Sequence, residues 1–171
     1  MIDLAPWHDF WLFTGGAAAT LAGLIFVALT LRMREILASR HAITLARGAF
    51  YYFITILGMT AAMLAPWPDD RSLGSVVVIG GAINLFQSVG SLVRLRKAPR
   101  AERDALRGVP VVWRLFAPIL ARLLVLLAGV DILRDDPRGA GVLAVAAAML
   151  LLVAASNAWD LVTALRADDA E

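Results

Sequence analysis

Residues 10–31 read FWLFTGGAAATLAGLIFVALTL, an apolar stretch without a charge or a proline. At about 1.5 Å per residue, a helix of this length crosses the ~30 Å of hydrocarbon in a bilayer. We therefore predict a transmembrane helix here. Gly15, Ala19 and Gly23 recur at every fourth position, and such a small-residue face lets a neighbouring helix approach closely. The face predicts a helix-packing interface, either within one chain or between copies of the chain.

Four further apolar blocks make the chain an all-α protein, a polytopic membrane helix bundle with five transmembrane helices. Of the 171 residues, 60% are hydrophobic, which is a larger share than in typical soluble domains. Too little chain remains between the blocks for a separate soluble domain. We therefore expect a single transmembrane domain over residues 1–171. Its predicted spans are about 10–31, 48–65, 73–93, 111–133 and 140–162.

The distribution of lysine and arginine predicts the orientation. With the N-terminus outside, the cytoplasmic segments carry twelve of these residues and the outer loops carry three. The positive-inside rule favours this arrangement, and an odd number of spans places the C-terminus in the cytoplasm. Trp7 and Trp11 precede or begin the first span, where we expect both indoles at the headgroup interface.

One charged side chain falls near the middle of a predicted span. Arg122 lies about 16 Å deep in the fourth span, where a charge costs ~2.5–3.5 kcal/mol on insertion scales. It should therefore point into protein and meet a polar partner. In one interpretation Arg122 holds helices together, and in the other it lines a pathway or binds an anion. The candidate partners at a suitable depth are Asn84, Gln87, Asn157 and Asp160.

The third predicted span carries a polar stripe, formed by residues at helical spacing on one side. These side chains either line a polar cavity or hydrogen-bond to neighbouring helices, and the second role is the commoner one. The stripe consists of Gly80, Asn84, Gln87, Ser88 and Ser91.

A basic stretch follows the third predicted span, and a short surface helix is expected between Pro99 and Gly108. The basic side chains either hold anionic lipid headgroups at the inner leaflet or act only as a topology signal. They are Arg94, Arg96, Lys97, Arg100, Arg103 and Arg107.

The two predicted outer turns each contain a pair of aspartates, at residues 69–70 and 135–136. We interpret both pairs as solvated turns, since turns favour aspartate. Binding of a hydrated cation is the alternative.

Several functions are excluded by what the sequence lacks. It has no cysteine, so disulfides, thiolate catalysis and cysteine metal sites are ruled out. It contains no H-E-x-x-H, G-x-S-x-G or P-loop motif. We predict that the protein is not an enzyme and has no cofactor. Its positive charge follows membrane topology, so we expect no nucleic-acid partner.

The segment from Trp7 to Arg34 resembles the first helix of small, uncharacterised multi-pass bacterial inner-membrane proteins. An aromatic start is followed by Gly-Ala-Ala-Ala and then by Leu-x-Gly-Leu-x-Phe-Val-Ala, which residues 16–19 and 21–28 match. The resemblance implies a location in the bacterial inner (plasma) membrane and implies no activity.

Two functions are consistent with these features. The first is a small homo-oligomeric channel or transporter with a polar, cationic intramembrane site that suits anions. The second is a non-transporting membrane subunit that packs against another membrane protein and regulates it. The expected partners are membrane lipids, copies of this chain and, in the second case, another membrane protein.

Overall fold

The computed structural model describes residues 2–38, 40–97 and 109–168, and every regular element in these ranges is helical. A short 3-10 helix, Ala5–Trp7, precedes the α-helices. The all-α prediction is therefore confirmed for the described residues. The α-helices are α1 (His8–Leu31), α2 (Met33–Ala38), α3 (Arg40–Leu64), α4 (Asp70–Lys97), α5 (Val109–Leu133) and α6 (Arg138–Asp168).

Within the described residues, four helical stretches are long and apolar enough to cross a membrane, which is compatible with a multi-pass membrane protein. They match the first, second, fourth and fifth predicted spans, although the second begins before residue 48 and the fourth begins after residue 111. The third predicted span lies within α4, which is not among the four, so five spans and the orientation stay predictions. The four stretches are Ala5–Leu31, Ala42–Leu64, Phe116–Leu133 and Arg138–Val162.

The chain divides into two compact units, each built from segments that are separate in sequence. The first unit contains the residues up to Trp7 together with Ala65–Met149, which include α4, α5 and the beginning of α6. The second contains His8–Leu64, with α1, α2 and α3, and the remainder of α6 from Leu150 onwards.

In the first unit, α4 and α5 pack antiparallel through glycines. A Cβ atom added to Gly74 would lie 2.8 Å from Leu133 Cγ, and one added to Gly129 would lie 2.7 Å from Val78 Cγ2. Carbon atoms in favourable contact are about 3.5–4.0 Å apart, so a side chain at either position would overlap its neighbour. Glycine therefore sets the close approach of these two helices.

The turn before α4 is fixed by two aspartates with different environments. Asp69 Oδ1 accepts a hydrogen bond from the Ser72 N–H at 2.7 Å, which caps the helix. Hydrogen bonds from the Ser72 side chain and backbone lower the pKa of Asp69. Asp70 is buried, and its Oδ2 accepts the Ile2 N–H at 2.6 Å. Asp70 is thus not the solvated turn residue that the sequence predicts, because the N-terminal segment covers it.

The second aspartate pair joins α5 to α6. Asp135 has a φ of 59°, and its N–H donates to the Ile132 carbonyl at 3.0 Å. The Asp136 N–H donates to the Asp131 carbonyl at 2.9 Å, which completes a Schellman motif with aspartate in the left-handed position. Asp136 Oδ1 then accepts the Arg138 N–H at 2.9 Å at the start of α6. Both members of this pair therefore terminate helices.

In the second unit, α1 packs against α3, and α2 follows α1 after a single turn residue, Arg32. The Arg32 N–H donates to Ala28 and the Ile36 N–H donates to Arg32, both at 3.1 Å, so the helical hydrogen bonding carries on through the junction. Ile36 is buried in a cluster that closes this end of the unit. The other members of the cluster are Ala42, Leu45, Ala46 and Leu161.

Candidate intramembrane polar site

Arg122 is buried in the middle of the apolar helix α5, with 8% of its surface exposed. It therefore points into protein, as the cost of a charge in hydrocarbon predicts. Arg122 lies about two turns before Gly129, and residues two turns apart share a face of an α-helix. The guanidinium stem thus leaves α5 on the side that packs against α4.

The register of α4 against α5 places Arg122 at the level of Asn84. Gly74 lies opposite Leu133 and Gly81 lies opposite Leu126, so the contacts advance by equal steps along the two helices. One further turn along the same register brings residues 84 and 85 of α4 to the level of Arg122. Counting residues into the third and fourth predicted spans also places Asn84 and Arg122 at the same depth.

The Asn84 side chain makes a hydrogen bond within its own helix. It is half-buried, and its Nδ2 donates to the Gly80 carbonyl at 2.8 Å. This bond uses one of the two N–H donors of the amide, and the amide oxygen is the end that suits a guanidinium. Asn84, Gln87 and Arg122 each take part in at least one further interaction. The binding of an anion by Arg122 stays a prediction.

Gln87 is exposed on α4, whereas Asn84 is half-buried and Arg122 is buried. Ser88 and Ser91 also lie on α4, but their side chains are outside the described part of the structure. The polar stripe thus has its first three members described, and its role as a cavity lining stays a prediction.

Asn157 and Asp160 lie on α6 in the second unit. Asn157 is buried, and its Nδ2 lies 3.1 Å from the position that a Cβ atom would take on Gly48 of α3. Gly48 therefore provides the space that this amide occupies. Asp160 is half-buried and takes part in an interaction. The pairing of Arg122 with either residue stays a prediction.

The predicted lipid-binding residues are only partly described. The first three, Arg94, Arg96 and Lys97, belong to the last turn of α4, although their side chains are outside the description. The last three, Arg100, Arg103 and Arg107, lie outside the described residues, as does the expected surface helix between Pro99 and Gly108.

The small-residue face of α1 divides into two parts. Gly15 is buried, and a Cβ atom added there would lie 2.5 Å from Thr60 Cγ2 of α3. Ala19 and Gly23 are exposed, and an added Cβ at Gly23 would meet nothing within 4 Å. Gly15 is thus an intrachain contact, whereas the other two leave an open surface.

The burial of Trp11 and Thr60 was not predicted from the sequence. Trp11 is 1% exposed, so its indole is covered by protein, and its predicted level at the headgroup interface stays a prediction. Neither Trp11 Nε1 nor Thr60 Oγ1 has a hydrogen-bond partner within the described residues. The position of Trp11 one turn before Gly15, on the face that packs against α3, is the sequence signal for its burial.

Comparison with protein-family models, with curated proteins and with solved structures finds no match to this chain. The class that the fold defines is a helical protein compatible with multi-pass membrane insertion.

Proposed function

We propose that this protein is a small homo-oligomeric channel or transporter of the bacterial inner membrane, with Arg122 in a pathway for anions. The observation that carries the proposal is the burial of Arg122 in the apolar middle of α5, on the α4 side and level with Asn84.

A permanent charge at this depth favours the pathway over simple helix packing. Amide and hydroxyl side chains join membrane helices without an ionised group, whereas a guanidinium adds a desolvation cost of several kcal/mol. That cost is offset where the charge attracts a permeating anion.

Anion flux into liposomes that contain the purified protein tests this role. We expect Arg122→Gln, which keeps hydrogen-bonding capacity and removes the charge, to lower the flux at least tenfold. Arg134→Gln is the matched control, because Arg134 is an exposed arginine beyond the C-terminal end of the same helix. Equal flux in wild type and Arg122→Gln, with both proteins folded, would contradict the proposal.

The oligomer is tested separately on the open part of the small-residue face. Gly23→Leu adds its Cβ atom where no atom of another described helix lies within 4 Å, so we expect little change in the packing within one chain. We expect it to dissociate the oligomer, as measured by native mass spectrometry from lipid discs. Gly58→Leu on α3 is the control, since Gly58 is also open and exposed. A wild-type protein that is monomeric at all concentrations would refute this part.

The open face of α1 also supports the alternative, a regulatory subunit that packs against another membrane protein. Exposed small residues accept a foreign helix as readily as a second copy. The same liposome assay separates the two functions. Absence of flux for any common ion, together with a continuous apolar plug along the oligomer axis, favours the regulatory subunit.

A further inference from the structure

Two buried polar atoms of the second unit lack a hydrogen-bond partner among the described residues, Trp11 Nε1 and Thr60 Oγ1. The exposed fractions of these residues are 1% and 8%. A buried donor without a partner forfeits the hydrogen bonds that it makes to water in the unfolded chain. In native proteins such groups are nearly always paired, and where protein offers no partner the partner is ordered water.

Gly15 connects the two groups. It lies one turn after Trp11 on the same face of α1, because side chains four residues apart are neighbours on a helix. The Cβ, Oγ1 and Cγ2 atoms of Thr60 lie 3.1, 3.1 and 2.5 Å from the position of a Cβ atom on Gly15. Thr60 thus inserts its side chain against α1 at Gly15, which is one helical turn along the chain from Trp11. Thr14, which is 3% exposed, adds a further hydroxyl on this side of α1.

The hydrogen-bonding chemistry of the two groups defines their ligand. An indole N–H only donates, so the ligand atom must accept, whereas the threonine hydroxyl both donates and accepts. One oxygen satisfies both requirements, and either water or a lipid ester carbonyl can supply it. The burial of both side chains favours water over the ester carbonyl, because water is smaller and carries no acyl chains.

We propose that α1 and α3 enclose an ordered-water site, in which water accepts the Trp11 indole N–H and hydrogen-bonds to the Thr60 hydroxyl. The site is independent of the proposed anion pathway. It gives both buried polar groups a hydrogen-bond partner.

Nuclear magnetic resonance on the full-length chain tests the site directly. The protein is labelled with ¹⁵N at its indoles and held in a glycoside detergent, which contains no ester carbonyl, and Trp11→Phe assigns the Trp11 signal. We expect magnetisation transfer from water to the Trp11 indole N–H, and a shift of this signal in Thr60→Val. Thr55→Val is the control, because the Thr55 hydroxyl already donates to the Tyr51 carbonyl at 2.9 Å on the same helix.

Measurements of unfolding stability test the water site independently. If water joins the two groups, Thr60→Val and Trp11→Phe each lower the folded-to-unfolded ratio about tenfold. The double variant then loses less than the product of the two effects, because both substitutions disrupt one site. A more stable Thr60→Val, or effects that multiply, would mean two separate orphaned groups and would overturn the proposal.

The remaining outcomes also decide the question. Absence of water transfer to the Trp11 N–H in wild type overturns the proposal without any variant. A Trp11 signal that moves only when ester phospholipid is added overturns it in favour of a lipid carbonyl. Should Thr60→Val fail to fold, Thr60→Ser, which keeps the hydroxyl, is expected to retain the water transfer.

Discussion

The glycine contacts between α4 and α5 lead to a quantitative prediction for Gly129→Ala. The new Cβ atom would lie 2.7 Å from Val78 Cγ2 and 2.9 Å from the Val78 backbone nitrogen. The methyl group can rotate, but the backbone nitrogen belongs to helix α4 and moves only with the helix. The two helices must therefore separate locally by about 0.5–1 Å, which removes a quarter to a half of the dispersion energy of each affected atom pair.

The expected destabilisation follows from two opposing effects. Overpacking of this kind costs about 1–3 kcal/mol. Alanine recovers about 1 kcal/mol relative to glycine through its better helix propensity. Gly80→Ala on α4 isolates the second effect, because a Cβ atom there meets nothing within 4 Å. We therefore expect Gly129→Ala to be about 1–3 kcal/mol less stable than Gly80→Ala.

Reversible unfolding in mixed micelles of mild detergent and sodium dodecyl sulfate, followed by circular dichroism, measures this difference. Adding Gly74→Ala to Gly129→Ala should cost less than the sum of the single effects, because one separation of the helices relieves both overlaps. If Gly129→Ala were as stable as Gly80→Ala, the close approach of α4 and α5 would be wrong, and so would the register that places Asn84 at the level of Arg122.

Three other predictions use the same unfolding measurement. Asp135→Gly should stabilise the protein by about 0.5 kcal/mol, because glycine adopts the left-handed conformation of this position without strain, and a loss of stability would contradict the Schellman motif. The lowered pKa of Asp69 means that its carboxylate stabilises the start of α4 above its ordinary pKa and that this contribution is lost as the pH falls through the lowered value. Asp69→Asn should therefore flatten the acid limb of the stability profile, and an unchanged profile would refute the linkage. Gly15→Ala should cost about 1 kcal/mol relative to Gly58→Ala, and adding Thr60→Ser, which removes the overlapping methyl group, should restore most of it.

Features set by local composition could be predicted from the sequence. Apolar stretches at α1 and α6 predict those helices because length and hydropathy do not depend on a partner. The burial of Arg122 could be predicted because any other placement would expose a charge to hydrocarbon. Its level relative to Asn84 follows from counting residues along two antiparallel helices.

Features set by distant partners could not be predicted. An aspartate in a turn is ordinarily solvated, and the burial of Asp70 depends on Ile2, which is remote in sequence. Trp11 suits either an interface or an interior, and only the position of α3 decides between them. The glycines of α4 and α5 are visible in the sequence, but which of them contact a neighbour depends on the register of two helices.

The interleaving of the two units has a consequence for biosynthesis. The first unit takes its N-terminal segment before α1 and its last segment from the beginning of α6, and the second unit takes its last segment from the remainder of the same helix. During translation, both units therefore stay incomplete until α6 has emerged from the ribosome. A premature stop codon after Leu133 would remove the segment that each unit takes from α6, so neither unit would be whole.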